Sequence, residues 1–217
     1  MATSKLPAGV TVQQLELNGS TLDEIGAVGA AAFGDDRFFS FLMPEERMRH
    51  RALRIFCRAT VSEIGAGAVV YGARATSGRL VGVAAFVRPG GWPLSIAAQL
   101  RQLRSGLVAM IPRPRALIDG SRYLLAVERV HPKGEIWYLA LLAVDPSAQR
   151  GGIGGAMQMQ VYVQADKEGL DSYLETQKEA NLAYYRRFGY EVERELRPVR
   201  NGPPLWTLRR RPRSPEE

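Results

Sequence analysis

At 217 residues the chain is long enough for one large domain or two small ones, and its 46% hydrophobic and 24% charged residues are an ordinary globular balance whose core needs no disulfide or metal staple. A single cysteine, Cys57, excludes an intrachain disulfide and fits a reducing, cytoplasmic setting, and with only two histidines, His50 and His131, it argues against zinc. The net charge of +7 favours anionic partners, whether nucleic acid, phosphorylated cofactors or membrane surfaces, without choosing among them.

Met1 to Val10 lacks the apolar run of a signal peptide, and no stretch approaches the roughly 20 apolar residues that span a bilayer. Val10 to Leu17 alternates loosely up to the turn pair Asn18-Gly19 and reads as a first strand. Ser20 or Thr21 is expected to cap a helix carrying Leu22, Ile25, Val28, Ala32 and Phe33, closed by Gly34-Asp35-Asp36. A second helix is expected over about Glu45 to Ile64, with Pro44 near its start. Ala68 to Ala73 and Leu80 to Val87 form a hairpin around Thr76-Ser77-Gly78. Residues 89–134 are broken by Pro89-Gly90-Gly91 and Pro112-Arg113-Pro114, with helices expected at Leu94 to Met110 and Arg115 to Val130.

From Glu135 to Val144 the residues are almost all apolar, as in a strand covered on both faces, and Asp145-Pro146 ends it. A helix follows over about Gly152 to Glu168, with Ile153, Met157, Val161 and Ala165 on one stripe. Ser172 to Thr176 is a short strand, and Asn181 to Phe188 a helix closed by Gly189. Tyr190 to Leu196 and Leu205 to Arg209 are the last strands, and Arg209, Arg210, Arg211 and Arg213 read as a solvated basic run. The element order is that of an α/β (α+β) protein.

The informative segment is Gln149-Arg150-Gly151-Gly152-Ile153-Gly154-Gly155, between a buried strand and a helix. Glycines allow close backbone approach, a helix start adds partial positive charge, and Arg150 adds a charged donor; together they can cradle a pyrophosphate. The loop continues Gly155-Ala156-Met157, without the Gly-Lys-Ser/Thr of a Walker loop. Gly152 and Gly154 would need a third glycine at Met157 to read as a dinucleotide fingerprint.

The run Leu142-Ala143-Val144-Asp145-Pro146 followed by this loop resembles the acetyl-CoA-binding motif of the GNAT superfamily of N-acetyltransferases, with Arg150, Gly152 and Gly154 at its signature places. Tyr173-Leu174-Glu175-Thr176 and Asn181-Leu182-Ala183-Tyr184-Tyr185-Arg186-Arg187-Phe188-Gly189-Tyr190 resemble the family's second motif, in the form of the puromycin N-acetyltransferase-like branch, as does Pro203-Pro204-Leu205-Trp206. The resemblance covers Glu135 to Arg209. It implies a central, mostly antiparallel twisted sheet of about seven strands, splayed at a β-bulge and flanked by helices. It also implies a single domain over 1–209 with a helical insertion at about 89–134, leaving 210–217 as a basic tail.

By that resemblance, acetyl-CoA is the co-substrate and no metal is used. Leu142, Ala143 and Val144 offer backbone groups to the pantetheine arm. Arg150, Gly151, Gly152, Ile153, Gly154 and Gly155 hold the pyrophosphate, and Asn181 bonds the cofactor arm. Tyr185, four residues before Gly189, is the general acid for the leaving thiolate, in preference to Tyr184. Glu175 is the first candidate base and His131 the second, although His131-Pro132 reads as a solvated loop start. The expected acceptor is a small amine, drawn by Asp35, Asp36, Glu45 and Glu46, with an alcohol or protein acceptor and a non-catalytic acyl-CoA binder as alternatives. Neither nucleic acid nor a membrane is expected as a partner, and a homodimer is compatible with the family.

Overall fold

The computed structural model of the chain describes residues 6–92 and 114–213. Its elements are β1 (Thr11–Gln14), α1 (Gly19–Phe33), α2 (Arg37–Leu42), α3 (Glu46–Ile64), β2 (Ala68–Arg74), β3 (Leu80–Val87), α4 (Pro114–Val130), β4 (Trp137–Val144), α5 (Ile153–Glu168), β5 (Ser172–Thr176), α6 (Ala180–Arg186), β6 (Tyr190–Leu196) and β7 (Leu205–Arg210). The seven strands form one sheet in the order β1-β2-β3-β4-β5-β7-β6. Every pairing is antiparallel except β4 with β5.

Each face of the sheet carries its own core. On one face α5 contributes Ile153, Met157, Val161, Tyr162 and Ala165, packed with Phe86, Trp137, Leu139, Leu174, Tyr185, Tyr190, Trp206 and Leu208. On the other, α1 and α3 contribute Ile25, Val28, Cys57, Val61 and Ile64, packed with Val83, Ala85, Leu141 and Ala143. The two helices approach closely because α1 presents Gly26 and Gly29: a methyl at either would run into the Arg54 carbonyl or the Cys57 side chain. Burial pushes the Cys57 thiol up to about 12, so it packs as a small apolar group and not as a nucleophile.

Local structure departs from expectation at several places. The cap of α1 is neither Ser20 nor Thr21 but Asn18, whose extended backbone lets its side chain accept from Thr21 N at 2.9 Å. Helix α2 lies where none is expected, since six residues, rich in phenylalanine, are too few to show a period. Asp36 caps it, accepting from Phe38 N at 2.8 Å. Buried Arg49 closes the α1–α2–α3 corner by donating to the carbonyls of Gly34, Met43 and Pro44. The helix expected at Leu94 to Met110 lies outside the described residues. Helix α4 forms as expected and docks through Tyr123, whose hydroxyl donates to the Pro203 carbonyl and whose ring meets Phe38 edge-on at 4.7 Å.

Arg210 corrects the solvated-tail reading: β7 extends through it, and it is 2% exposed. Its guanidinium grips Asp166 of α5 with two bonds of 2.7 Å, donates to the Phe188 carbonyl at 2.9 Å and lies 4.9 Å from the centre of the Tyr162 ring. Arg209 is also tied, to Glu193 and Asp171. A like-charge run is solvated only when no acidic partners reach it, and here β6, α5 and the residue before β5 supply them.

Candidate functional site

The sheet is split at the only parallel joint among the described residues. β4 and β5 pair at Trp137 with Ser172 and Tyr138 with Tyr173, and nowhere beyond. The register between β3 and β4 slips there: Ala85 opposes Leu141 while Phe86 opposes Leu139, leaving Ala140 as an extra residue. The slip reverses the strand's faces. Trp137 and Leu139 pack on the α5 side, whereas Leu141 and Ala143 pack on the α1–α3 side. β4 is covered on both faces, as its composition predicts, but Tyr138, Ala140, Leu142 and Val144 stay only partly buried.

Hydrogen-bond phase decides which backbone groups face the split. Asp145 N donates to Val81 O at 2.9 Å, so the alternating antiparallel ladder turns Ala143 and Leu141 toward β3. Leu142 and Val144 therefore direct their amides and carbonyls toward the split. Ala143 does not: its backbone faces β3 and its side chain is buried. The Val144 carbonyl accepts from Gln149 Nε2 at 3.0 Å.

The loop after β4 begins with Asp145, which accepts from Ser147 N at 2.9 Å and pairs with Arg79 at 2.7 Å. Arg150 and Gly152 then adopt left-handed backbone, with φ of 66° and 75°, which brings the chain sharply into α5. That helix has no side-chain cap, and its first internal bond runs from Ala156 N to Gly152 O. The amides of Ile153, Gly154 and Gly155 thus lie in the open first turn. The Ile153 side chain is core, and a methyl at Gly155 would meet the Phe188 ring, so these residues serve a ligand through backbone alone. This end of α5 fits a pyrophosphate.

Asn181 sits in the first turn of α6 but does not cap it. Its Nδ2 donates to Thr176 Oγ1 at 3.0 Å, tying α6 to the end of β5. Tyr185 is buried on the α5 side against Tyr190, with ring centres 5.7 Å apart, and burial raises its phenol far above the ordinary range. Tyr184 points elsewhere, toward Gly154 and Gln158.

Across the sheet, on the α1–α3 side, lies a second polar group. Burial raises the Glu175 carboxyl to about 7, against the pull of the Tyr138 and Tyr173 hydroxyls beside it. Neither hydroxyl makes a well-formed bond to it: Glu175 Oε1 and Tyr173 Oη are both buried without a partner. His131 corrects its expectation. It is buried, stacked on Trp92 at 4.7 Å and edge-on to Tyr138 and Tyr173 at 4.7 and 5.1 Å. Burial lowers its pKa, with the Pro132 carbonyl pulling the other way. That carbonyl can only accept, so Nδ1 at 3.0 Å carries the proton, and buried Nε2 is left as an unpartnered acceptor. Native proteins seldom leave such atoms unsatisfied, so these three, with Thr207 Oγ1 opposite Glu175, mark a place on one sheet face for a ligand or water.

Sequence reasoning missed Trp92, Tyr138, Tyr173 and Gln158. Tyr138 sits inside an apolar run and Gln158 on a buried helix face, where an aromatic or amide reads as packing, and Trp92 follows a Pro-Gly-Gly break; the pairing of Tyr138 with Tyr173 brings Tyr138 beside Glu175. Of the carboxylates expected to draw an amine, Asp36 is a helix cap and Glu45 stands at the N-terminus of α3. Among the described residues no group of three or more His, Cys, Asp or Glu could hold a metal, and no helix is long and apolar enough to cross a membrane.

Residues 118–192 match the family model for the acetyltransferase (GNAT) domain. A structure from Corynebacterium glutamicum, described as histone acetyltransferase HPA2 and related acetyltransferase, shares 23% identity over 96% of this chain and 99% of its own, with a TM-score of 0.67. The ribosomal-protein-S18-alanine N-acetyltransferase of Escherichia coli is 15% identical over 96% and 97%, with a TM-score of 0.54. Arylalkylamine N-acetyltransferase 2 of Aedes aegypti is 11% identical over 92% and 98%, with a TM-score of 0.55. At these identities the likeness is one of fold, and it extends over nearly the whole chain.

Proposed function

We propose that this chain, a member of the GNAT acetyltransferase superfamily, moves an acetyl group from acetyl-CoA to a small primary amine. One observation carries the reading: the sheet is split between a face prepared for an anion and a face bearing a buried carboxylate with one oxygen unpartnered. On the α5 side, open helix amides and Arg150 suit the pyrophosphate, and the gap-facing groups of Leu142 and Val144 suit the pantetheine amides. The thioester then lies in the split. On the other side Glu175, Tyr173 and neutral His131 present acceptors within an aromatic wall. Acceptors surrounded by aromatic rings suit an ammonium group, which brings several N–H donors and a positive charge.

In this reading Glu175 takes the proton of the incoming ammonium. With a pKa near 7 it is ionised often enough to act and basic enough to accept. The freed amine attacks the thioester carbonyl, and the fixed geometry of two bound substrates supplies much of the rate. Collapse of the tetrahedral intermediate breaks the C–S bond; Tyr185 gives its proton to the departing thiolate from the α5 side, and the proton shed by the new amide nitrogen restores the phenol. Asn181, held to Thr176, keeps its side-chain oxygen for the cofactor arm.

The test is thiol release from acetyl-CoA with aryl amines, polyamines, aminonucleosides and basic peptides. Turnover is expected with a small amine at a kcat/KM above that of any peptide. Faster turnover of peptides overturns the small-molecule acceptor, and an absence of CoA binding overturns the whole reading.

A further inference from the structure

Gln158 is a wholly buried amide on the apolar stripe of α5, and its hydrogen bonds leave it one orientation. The Gly154 carbonyl can only accept, so the atom 2.8 Å from it is Nε2. The second Nε2 hydrogen goes to Tyr184 Oη at 2.6 Å. Oε1 accepts from the Tyr162 hydroxyl at 2.7 Å, and Tyr162 is itself locked among Phe86, Phe188 and Tyr190. The Tyr184 hydroxyl therefore accepts from Gln158 and keeps its own proton to give. Among the described residues nothing takes that proton. Burial pushes the phenol up to about 12, so it remains a donor at neutral pH.

The position of this free O–H is defined. The Tyr184 ring is held by Tyr185 and Phe188 at 5.2 Å each, with the Arg187 guanidinium over it at 5.0 Å. A methyl on Gly154 would lie 2.9 Å from Tyr184 Oη and 3.7 Å from Val144 Cγ2. The hydroxyl thus stands between the open first turn of α5 and the gap-facing end of β4. An arm running from the pyrophosphate to the split passes this point.

We infer that Tyr184 donates a hydrogen bond to an oxygen of the acyl-CoA arm between pyrophosphate and thioester, with Gln158 as the residue that positions it. The inference rests on the acetyl-CoA reading above. It assigns the two adjacent tyrosines separate tasks: Tyr184 holds the cofactor, and Tyr185 serves the chemistry.

Calorimetry with three probes tests it: CoA, 4′-phosphopantetheine and adenosine 3′,5′-bisphosphate. Tyr184→Phe keeps the ring contacts and removes only the hydroxyl. It is expected to weaken CoA and 4′-phosphopantetheine alike, by roughly three- to tenfold for one neutral hydrogen bond, and to leave the bisphosphate unchanged. Gln158→Met is expected to weaken the same two probes, and the double variant to add little to either single change, because both remove one interaction. In turnover the loss falls on the KM for acetyl-CoA, whereas Tyr185→Phe lowers kcat. Unchanged CoA affinity in a folded Tyr184→Phe protein overturns the inference, as does equal weakening of the bisphosphate, which would trace the effect to the loop. If Gln158→Met melts early, Tyr184→Phe alone decides. A wild-type protein that binds no CoA would overturn the functional reading itself, a different result from wild-type binding that the tyrosine does not affect.

Discussion

Glu175 is where burial and charge meet most directly. A carboxyl raised from 4.5 to about 7 by desolvation holds its proton more tightly in the folded chain than in the unfolded one. Two consequences carry opposite signs. As a base it must be ionised, so kcat/KM is expected to fall about tenfold per pH unit below about 7, a limb absent from Glu175→Gln, whose rate is lower by roughly 10²–10⁴. As a buried group it costs stability when ionised. Between pH 4.5 and 7 the folded state binds more protons than the unfolded state, so stability declines as pH rises through that window. Glu175→Gln should therefore melt above wild type at pH 8, by about 1–3 kcal/mol or a few degrees, and show little difference at pH 4. A pH–rate limb that survives the substitution would move the base elsewhere, with His131 next to be tried.

At the scale of elements, α5 has left-handed glycines at both ends, Gly152 before its first turn and Gly169 after its last, with φ of 75° and 66°. The backbone strain of a β-branched residue is similar at the two positions, but only one end lies on the proposed cofactor path. Gly152→Val and Gly169→Val should each lower the melting temperature by a few degrees, since each adds about 1–3 kcal/mol of strain. Only Gly152→Val should also weaken CoA, by more than about tenfold, equivalent to 1.4 kcal/mol. Equal CoA affinity in the two variants would remove the glycine loop from binding. The glycine cluster alone is a weak signal, since many such clusters are simple turns; it became specific in the sequence only beside Leu142-Ala143-Val144-Asp145-Pro146, through the resemblance. The bulge at Ala140 was legible only through resemblance, because an unbroken apolar run hides a change of phase. The acceptor-side group was legible only in Glu175 and His131, as candidate bases; that Trp92 and Tyr138 join them depends on the packing of His131 against both rings and on the pairing of β4 with β5. Helix α2 was hidden by its brevity, and the cap of α1 by an Asn-Gly pair that reads equally well as a turn.

Over the whole molecule, the half that carries the proposed site is fastened from the strand next to its far edge. β7 lies between β5 and β6, and Arg210 at its end reaches across to α5 and to the turn after α6. These are the two helices that flank the proposed cofactor path. Net charge and the arginine run suggested a free basic surface, but composition cannot show that Asp166, more than forty residues earlier, waits beneath the strand. Burial pushes the Asp166 carboxyl up, and the Arg210 guanidinium with the Arg213 amide more than offsets this, so it stays below its ordinary 3.8. Removing the arginine leaves a partly buried carboxylate with the Arg213 amide at 2.9 Å and the Arg213 charge nearby. Arg210→Ala is therefore expected to cost about 3–5 kcal/mol, which for a chain of this size lowers the melting temperature by roughly 10 °C. The sign with pH follows from the depressed pKa. The contribution is present above the unfolded value near 3.8 and is lost as pH falls through the lower folded value, so the gap between wild type and variant should narrow in strong acid. Arg210→Met with Asp166→Leu, which removes both charges and keeps the volume, should recover most of the loss. Thermal melts of the three proteins at neutral pH and near pH 3 check the argument. A single variant as stable as wild type would show that β7 is held by its ladder and apolar face alone, and that the ion pair adds nothing.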